Sequence, residues 1–353
     1  MKPLSLLVFF GGILAAAAAG SVFFTLQSFN QFTKFENAFG GVCASVAGIA
    51  GPEDIQIDPL TRRAFISSFD RQADPKSAPR GGVFVFSIDD PLADDAWRDR
   101  TKGVPAAFEP LGLHFYDDGE TRRLFVVNAA TKAIEMYDVA ENGDLVHMQS
   151  FKERRLTSPN DVVAVGPTSF YVTNDAEPGS DSVIAKAHFL LRIGSGRVLY
   201  FNGSSWRVAA EGLRYANGVA ASRDGARLYV AETAGEALRI YAREPQSGAL
   251  DPVKTVEMKA GVDNINIDRL GVLWIGAHPK PLLLPAYLRN PKMKAPSLVI
   301  RYDDIEGGAS KPFDIYVNDG AELSASTVAA RLGPTLLIGA LLEKKFLICN
   351  LPA

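Results

Sequence analysis

Apolar and polar positions alternate in short runs over most of the chain. In GPEDIQIDPLTRRAFISS (51–68), Ile55 and Ile57 are two apart. Val162 and Ala164 repeat the spacing in SPNDVVAVGPTSFYVTND (158–175), as do Val219 and Ala221 in YANGVAASRDGARLYVAET (215–233) and Ile265 and Ile267 in GVDNINIDRLGVLWIGAHP (261–279). A period of two is that of a strand with one face buried. Each alternating run ends in a turn signal such as Gly166-Pro167, Asp224-Gly225 or Leu270-Gly271. A second, more continuous apolar run follows, as in 228–231 (LYVA) and 273–276 (LWIG). EPLGLHFYDDGETRRLFVVN (109–128) and SASTVAARLGPTLLIGAL (324–341) complete a set of six copies.

The copies recur at intervals of about 50 residues, which is room for four short strands each. No such unit can bury its faces alone, so six of them predict one all-β domain, a six-bladed β-propeller. Two stretches leave the pattern. Residues 176–196 follow the second strand of the third unit and have room for a short helix, and 280–296 are Pro-rich and apolar. Both are expected to lie over one end of the ring, as lids, membrane contacts or long loops.

The N-terminus follows a different rule. No charged residue lies between Lys2 and Lys34, and 4–26 (LSLLVFFGGILAAAAAGSVFFTL) is apolar. Roughly 20 such residues suffice to cross a bilayer as a helix. Residues 1–34 are therefore expected to be a hydrophobic helix, either an uncleaved signal anchor or a signal peptide cut after the Ala15–Ala19 run. Residues 35–353 are the propeller. Either reading exports the rest of the chain, anchored to a membrane or secreted or periplasmic, with Lys2 on the cytoplasmic side. The remaining composition is ordinary. The 353 residues are 47% hydrophobic and 22% charged, with net charge −3. No Lys/Arg block tracks a phosphate backbone, which argues against a nucleic-acid partner. The two cysteines, Cys43 and Cys349, flank the first and last repeats. In an exported chain they are either a pair that fastens the ring or two separate thiols.

The first strand of each propeller blade lines the central channel, so residues at its start converge on one axis. The pairs found there are Glu53-Asp54, Leu111-Gly112, Asn160-Asp161, Asn217-Gly218, Asp263-Asn264 and Ser326-Thr327. Consecutive strand residues point in opposite directions. Two convergence points are therefore expected. One set holds Glu53, Asn160, Asn217, Asp263 and Asn264, two carboxylates with three amides. The other holds Asp54 and Asp161, completed by backbone carbonyls. Ligation by oxygen alone, from carboxylates and amides, suits Ca²⁺.

These motifs, together with VAAEGLRYANGVAAS (208–222) and the terminal LIC (347–349), occur in the same order as in the serum paraoxonase/arylesterase family. The chain resembles that family from about Cys43 onward, within the broader gluconolactonase-like calcium propellers. The resemblance implies two calcium ions and hydrolysis of lactones or aryl esters. It places the catalytic ion on Glu53, Asn160, Asn217, Asp263 and Asn264. It places the structural ion on Asp54, Asp161 and the backbone carbonyl of Leu113. It also implies a Cys43–Cys349 disulfide and a retained N-terminal anchor.

The departures concern the base. The family's histidine pair falls on Leu111 and Ala129, and a pocket tyrosine falls on Gln72. The expected chemistry has calcium polarising the carbonyl, with Glu53 or Asp263 taking the proton and Asn160 and Asn217 assisting. His278, in GAHP, matches a family histidine and is a further catalytic candidate, ahead of His114. Phe69, Phe189, Tyr215, Thr327 and Leu341 are candidates for the pocket wall, and Asp70 and Arg71 for its mouth. The partner is a small lactone or ester. A non-catalytic, calcium-stabilised binding propeller is the alternative that loss of the histidines favours.

Overall fold

The computed structural model describes residues 3–74, 81–91, 97–104, 107–304 and 310–352, with side chains left aside in 3–12 and 101–102. Six sheets follow one another along the chain, antiparallel except where Thr101–Lys102 pairs parallel to Leu145–Lys152. The first is Pro52–Asp58, Arg63–Ser68, Gly82–Ser87 and Trp97–Asp99, paired in that order. The innermost strands of the other five are Pro110–Asp117, Pro159–Ala164, Ala216–Ala221, Gly261–Ile267 and Ser326–Leu332. Each innermost strand packs on those of both neighbouring blades, and the sixth packs on the first. The ring predicted from the repeats is thus closed.

Apolar faces meet between blades. Phe65, Leu113, Leu124, Val126 and Tyr137 fill the space between the first and second blades. Phe125, Phe151, Phe170 and Phe201 do so between the second and third, with ring centroids 5.1–5.5 Å apart. That is the tilted, edge-rich packing aromatic quadrupoles prefer.

Closure is covalent as well as geometric. The strand Val42–Ala47, from the start of the domain, supplies the outermost strand of the sixth blade beside Lys345–Asn350. Cys43 and Cys349 are direct register partners there and form a disulfide. Ala38–Phe39 caps the fifth blade in the same manner, beside Phe313–Asn318.

The N-terminal helix spans Pro3–Ser28. Among the described residues no helix is long and apolar enough to cross a membrane. The chain leaves it through Phe29, which is fully buried, stacks on Phe189 at 5.9 Å and lies under Arg192 at 4.2 Å. The two stretches off the blade pattern carry short helices. Val183–Leu190 is capped by Ser182, whose hydroxyl accepts the Ala185 N–H, and Leu284–Arg289 follows a 3₁₀ turn at Pro281–Leu283.

The Cys43–Cys349 bridge spans 306 residues of sequence. Loop-closure entropy alone then gives an upper stabilisation of roughly 5–6 kcal/mol. Urea unfolding of Cys43→Ser/Cys349→Ser is expected to show a loss of about 2–5 kcal/mol. A loss below about 1 kcal/mol would mean that strand pairing alone closes the ring.

Candidate active site and metal centre

Every innermost strand breaks register with its neighbour at its upper end. The shifts fall between Pro52 and Ile55, Pro110 and Leu113, Pro159 and Val162, Ala216 and Val219, Val262 and Ile265, and Ser326 and Val328. Five of these shifts fall at the polar dipeptides and the other at Leu111-Gly112. A bulge turns a strand's extra residue out of the ladder and re-aims its side chain. Six of them at one level bring the dipeptides together around the axis.

The upper group is Glu53, Asn160, Asn217, Asp263 and Asn264. All are buried except Asn160, which is half-buried. The three amides are each held by nitrogen. Asn217 Nδ2 donates to Thr233 Oγ1 at 3.0 Å. Asn264 Nδ2 donates to the Glu53 carbonyl at 3.1 Å and to Glu53 Oε1 at 3.2 Å. Asn160 hydrogen-bonds to Asp175. Their oxygens are left over: Asn160 Oδ1, Asn217 Oδ1, Asn264 Oδ1 and Glu53 Oε2 are buried without a hydrogen-bond donor. Orphaned acceptors of this kind are rare and costly in a folded interior. Four such oxygens, one from a carboxylate and three from amides, are of the ligand type that oxygen-seeking cations take. Asp263 joins them and is fixed by His278, whose Nε2 lies 2.7 Å from Asp263 Oδ2. Among the described residues no three His, Cys, Asp or Glu side chains form a metal cluster, so a cation bound here would need the amide oxygens as well.

Asp54 and Asp161 form a second group with a different character. Asp54 accepts the N–H of Ile55 and of Leu113 in the next blade, each at 2.8 Å. Asp161 accepts those of Val162 and of Val219 in the next blade, each at 2.7 Å. Their oxygens are partnered once each, but the charges are not offset. Gly112 stands against Asp161, where a Cβ would come within 2.1 Å of Asp161 Oδ1; Gly218 stands against the fifth blade, with Asp263 O at 2.3 Å. Glycine at these two dipeptide positions lets neighbouring innermost strands approach closely.

The electrostatics follow from burial of like charges. Burial, then Asp263 and Asp54, pushes Glu53 well above the usual carboxylate range. Burial, then Asp54, does the same to Asp161. Asp54 is pushed up to about 7, chiefly by burial. Arg71 is the cation in their field. Burial lowers its pKa, while Glu53, Glu109 and Asp263 act to raise it, and its Nη1 donates to the Leu341 carbonyl at 3.2 Å. Its neighbour Asp70 is instead committed to Lys344 at 2.8 Å and to the Gln72 N–H.

The remaining candidates fall in several places. Phe189 packs edge-on against Tyr215 at 5.1 Å. Phe69 is half-buried beside Arg71. Leu341 packs into a small apolar cluster with Tyr287 and Ala325. Thr327 is fully buried, and its hydroxyl donates to the Glu53 carbonyl at 2.7 Å, tying the sixth blade to the first. Leu111 packs on the apolar cluster between the second and third blades. His114 lies further down the channel, where burial lowers its pKa to about 4. Asp175 was not among the sequence candidates. It is buried among Ser158, Tyr215 and Asn160, burial pushes it up to about 7, and its Oδ1 has no donor. The signal for it was slight: a polar TND (173–175) ending the apolar strand FYV.

Fold and site together define a six-bladed propeller with a carboxylate–amide centre on its axis. The arylesterase family model matches residues 50–351. Human serum paraoxonase/arylesterase 1 is 32% identical over 321 residues, 88% of each chain. Human serum paraoxonase/arylesterase 2 is 32% identical over 320 residues, again 88% of each. This chain belongs to the arylesterase family, a family of ester hydrolases. A gluconolactonase from Xanthomonas campestris shares the fold, with TM-score 0.58 and 18% identity over 88% of this chain and 90% of that one. A calcium-binding protein, regucalcin from Agrobacterium tumefaciens, shares it with TM-score 0.53 and 15% identity, over 89% and 96%.

The raised carboxyls set a pH dependence. Glu53, Asp54 and Asp161 bind protons more tightly folded than unfolded. Without a cation, their contribution to stability is complete below the ordinary aspartate value of 3.8 and is lost as pH rises through about 7. Melting temperature in chelator is therefore expected to fall steadily from about pH 5 to about pH 8, and saturating calcium to remove most of that slope. Parallel curves with and without calcium would mean that no cation sits among these groups.

Proposed function

We propose that this protein is a calcium-dependent hydrolase of lactones and aryl esters. The observation that carries the reading is the set of four donor-less buried oxygens on Glu53, Asn160, Asn217 and Asn264, with Asp263 beside them. These five residues would hold the catalytic ion. Asp54 and Asp161, with the Leu113 carbonyl, would hold a second, structural ion. When bound, the catalytic ion supplies Lewis-acid polarisation of the substrate carbonyl.

The rest is the work of the chain. Anchored nitrogens on Asn160, Asn217 and Asn264 keep the three amide oxygens turned inward without reorganisation. His278 holds Asp263 in place and acts through it. The aromatic wall of Phe189 and Tyr215 offers an apolar bed for the acyl or aryl group.

The general base is reassigned. With Leu111 and Ala129 at the family's histidine positions, no imidazole stands there. Glu53 and Asp263, once on a cation, are weak bases because the ion lowers their proton affinity. Asp175 lies outside the ligand set, adjoins Asn160 and has an acceptor oxygen without a partner. It is placed to receive the proton of the attacking water, with Tyr215 orienting it.

Turnover of γ- and δ-lactones and phenyl acetate is expected, and chelation is expected to abolish it. No chelator-sensitive turnover on any of them would leave a calcium-stabilised binding propeller as the better reading. Asp175→Asn is expected to lower kcat/KM by about 100-fold or more, within the usual span for a lost general base, while the melting temperature changes little. Asn160→Ala is expected to cost activity first and Asp161→Ala stability first. If both variants lose only stability, the catalytic half of the proposal fails.

A further inference from the structure

The channel has a second end. Away from the centre, the innermost strands carry Gln56, His114, Asn266 and Arg331 into the wall of a cavity of about 470 Å³. That is within the size range of small-ligand sites. Its lining shares no residue with the carboxylate–amide centre.

Its polar groups are biased toward donors. His114 Nδ1 accepts the Ala164 N–H at 3.3 Å, so the ring is neutral and its hydrogen is on Nε2. The carboxylates in the wall are already engaged. Asp268 accepts from Arg331, the Trp274 indole and the N–H groups of Leu270 and Val272. Asp117 pairs with Arg122 at 3.3 Å and accepts the Gly119 N–H. Two further cations stand exposed in the lining, Arg223 and Arg269. Arg269 donates to the Pro59 carbonyl at 3.0 Å. Neither makes an ion pair among the described residues. The Nε of Arg331 is buried without an acceptor. Between these donors lie the apolar surfaces of Ile57, Phe115 and Leu332. An anionic head and a short apolar tail match such a wall.

We propose that this lower vestibule binds a small aliphatic carboxylic acid, with the carboxylate on Arg223 and Arg269 and the alkyl chain against Ile57, Phe115 and Leu332. The site stands apart from the proposed hydrolysis and does not depend on it. The probe is hexanoate, titrated calorimetrically into the full-length protein in calcium buffer, with 1-hexanol as the neutral counterpart. Saturable hexanoate binding is expected, at least about ten-fold tighter than that of hexanol, as loss of a charged hydrogen bond implies. The exposed double variant Arg223→Gln/Arg269→Gln is expected to weaken it by about ten-fold or more, and Arg223→Lys/Arg269→Lys to restore part of it. The His114 ring C–H resonance, assigned with His114→Gln, is expected to shift on saturation. Absence of saturable heat, or equal affinity for hexanol, overturns the proposal. Binding that persists in the Gln variant with the His114 signal unmoved also overturns it, because the acid then sits on the metal centre.

Discussion

The structure turns on oxygen atoms that have no hydrogen to accept. Four of them, on Glu53, Asn160, Asn217 and Asn264, are buried on the axis of a closed ring, with Asp54, Asp161 and Asp263 close by. A protein interior tolerates an unpaired acceptor poorly and an unpaired charge worse. The three amides turn their nitrogens to protein acceptors, and although Asn264 donates to Glu53 Oε1, Glu53 Oε2 is left without a donor. Arg71 lies in their field, but it is one guanidinium facing Glu53, Glu109 and Asp263. The cation proposed above would relieve both costs, and the ring's other features hold these oxygens in place.

Three devices do so. The bulges put the dipeptides at one level. Glycines 112 and 218 remove the Cβ atoms that would keep neighbouring strands apart. Bonds across blade boundaries then lock the spacing: Asp54 to Leu113, Asp161 to Val219, Thr327 to Glu53 and Asn264 to Glu53. The last two tie the first blade to the sixth and the fifth, close to the seam where the ring would open. At the outer rim the disulfide and the strand Val42–Ala47 act on the same seam. Wherever the buried carboxyls ionise, their mutual repulsion opposes closure, and the bonds at both radii resist it.

The fold was legible because period-two runs and turn signals repeat six times, and no other architecture uses that pattern so economically. The dipeptides were legible for the same reason, since polar pairs recur in phase with the strands. Simple alternation divides the dipeptides into two groups but does not foresee the bulge. A bulge is a backbone event, and only Gly112 and Gly218 hinted at it. The sequence offers Asp70 and Arg71 together for the mouth, but not their separate partners. They are adjacent in sequence, yet one binds Lys344, 274 residues away, and the other turns into the field of Glu53. Leu111 was expected to present an apolar side chain to the channel. It packs on the cluster between the second and third blades, which absorbs a residue that would otherwise sit among carboxylates.

The pair Asn160-Asp161 shows what the bulge adds. In a flat strand the two side chains would part to opposite faces, one into the channel and one into the interface between blades. The register shift between Pro159 and Val162 frees both from that rule. Asn160 turns its amide nitrogen to Asp175 and its oxygen into the upper group, while Asp161 reaches the fourth blade through Val219. Adjacent residues thus belong to two groups with different needs, one short of hydrogen-bond donors and one short only of positive charge. The same strand thereby couples the mouth, through Asp175 and Tyr215, to the contact that holds the third and fourth blades together. A displacement of Asp175 would move a proposed ligand oxygen directly, and Asp161 only through the backbone.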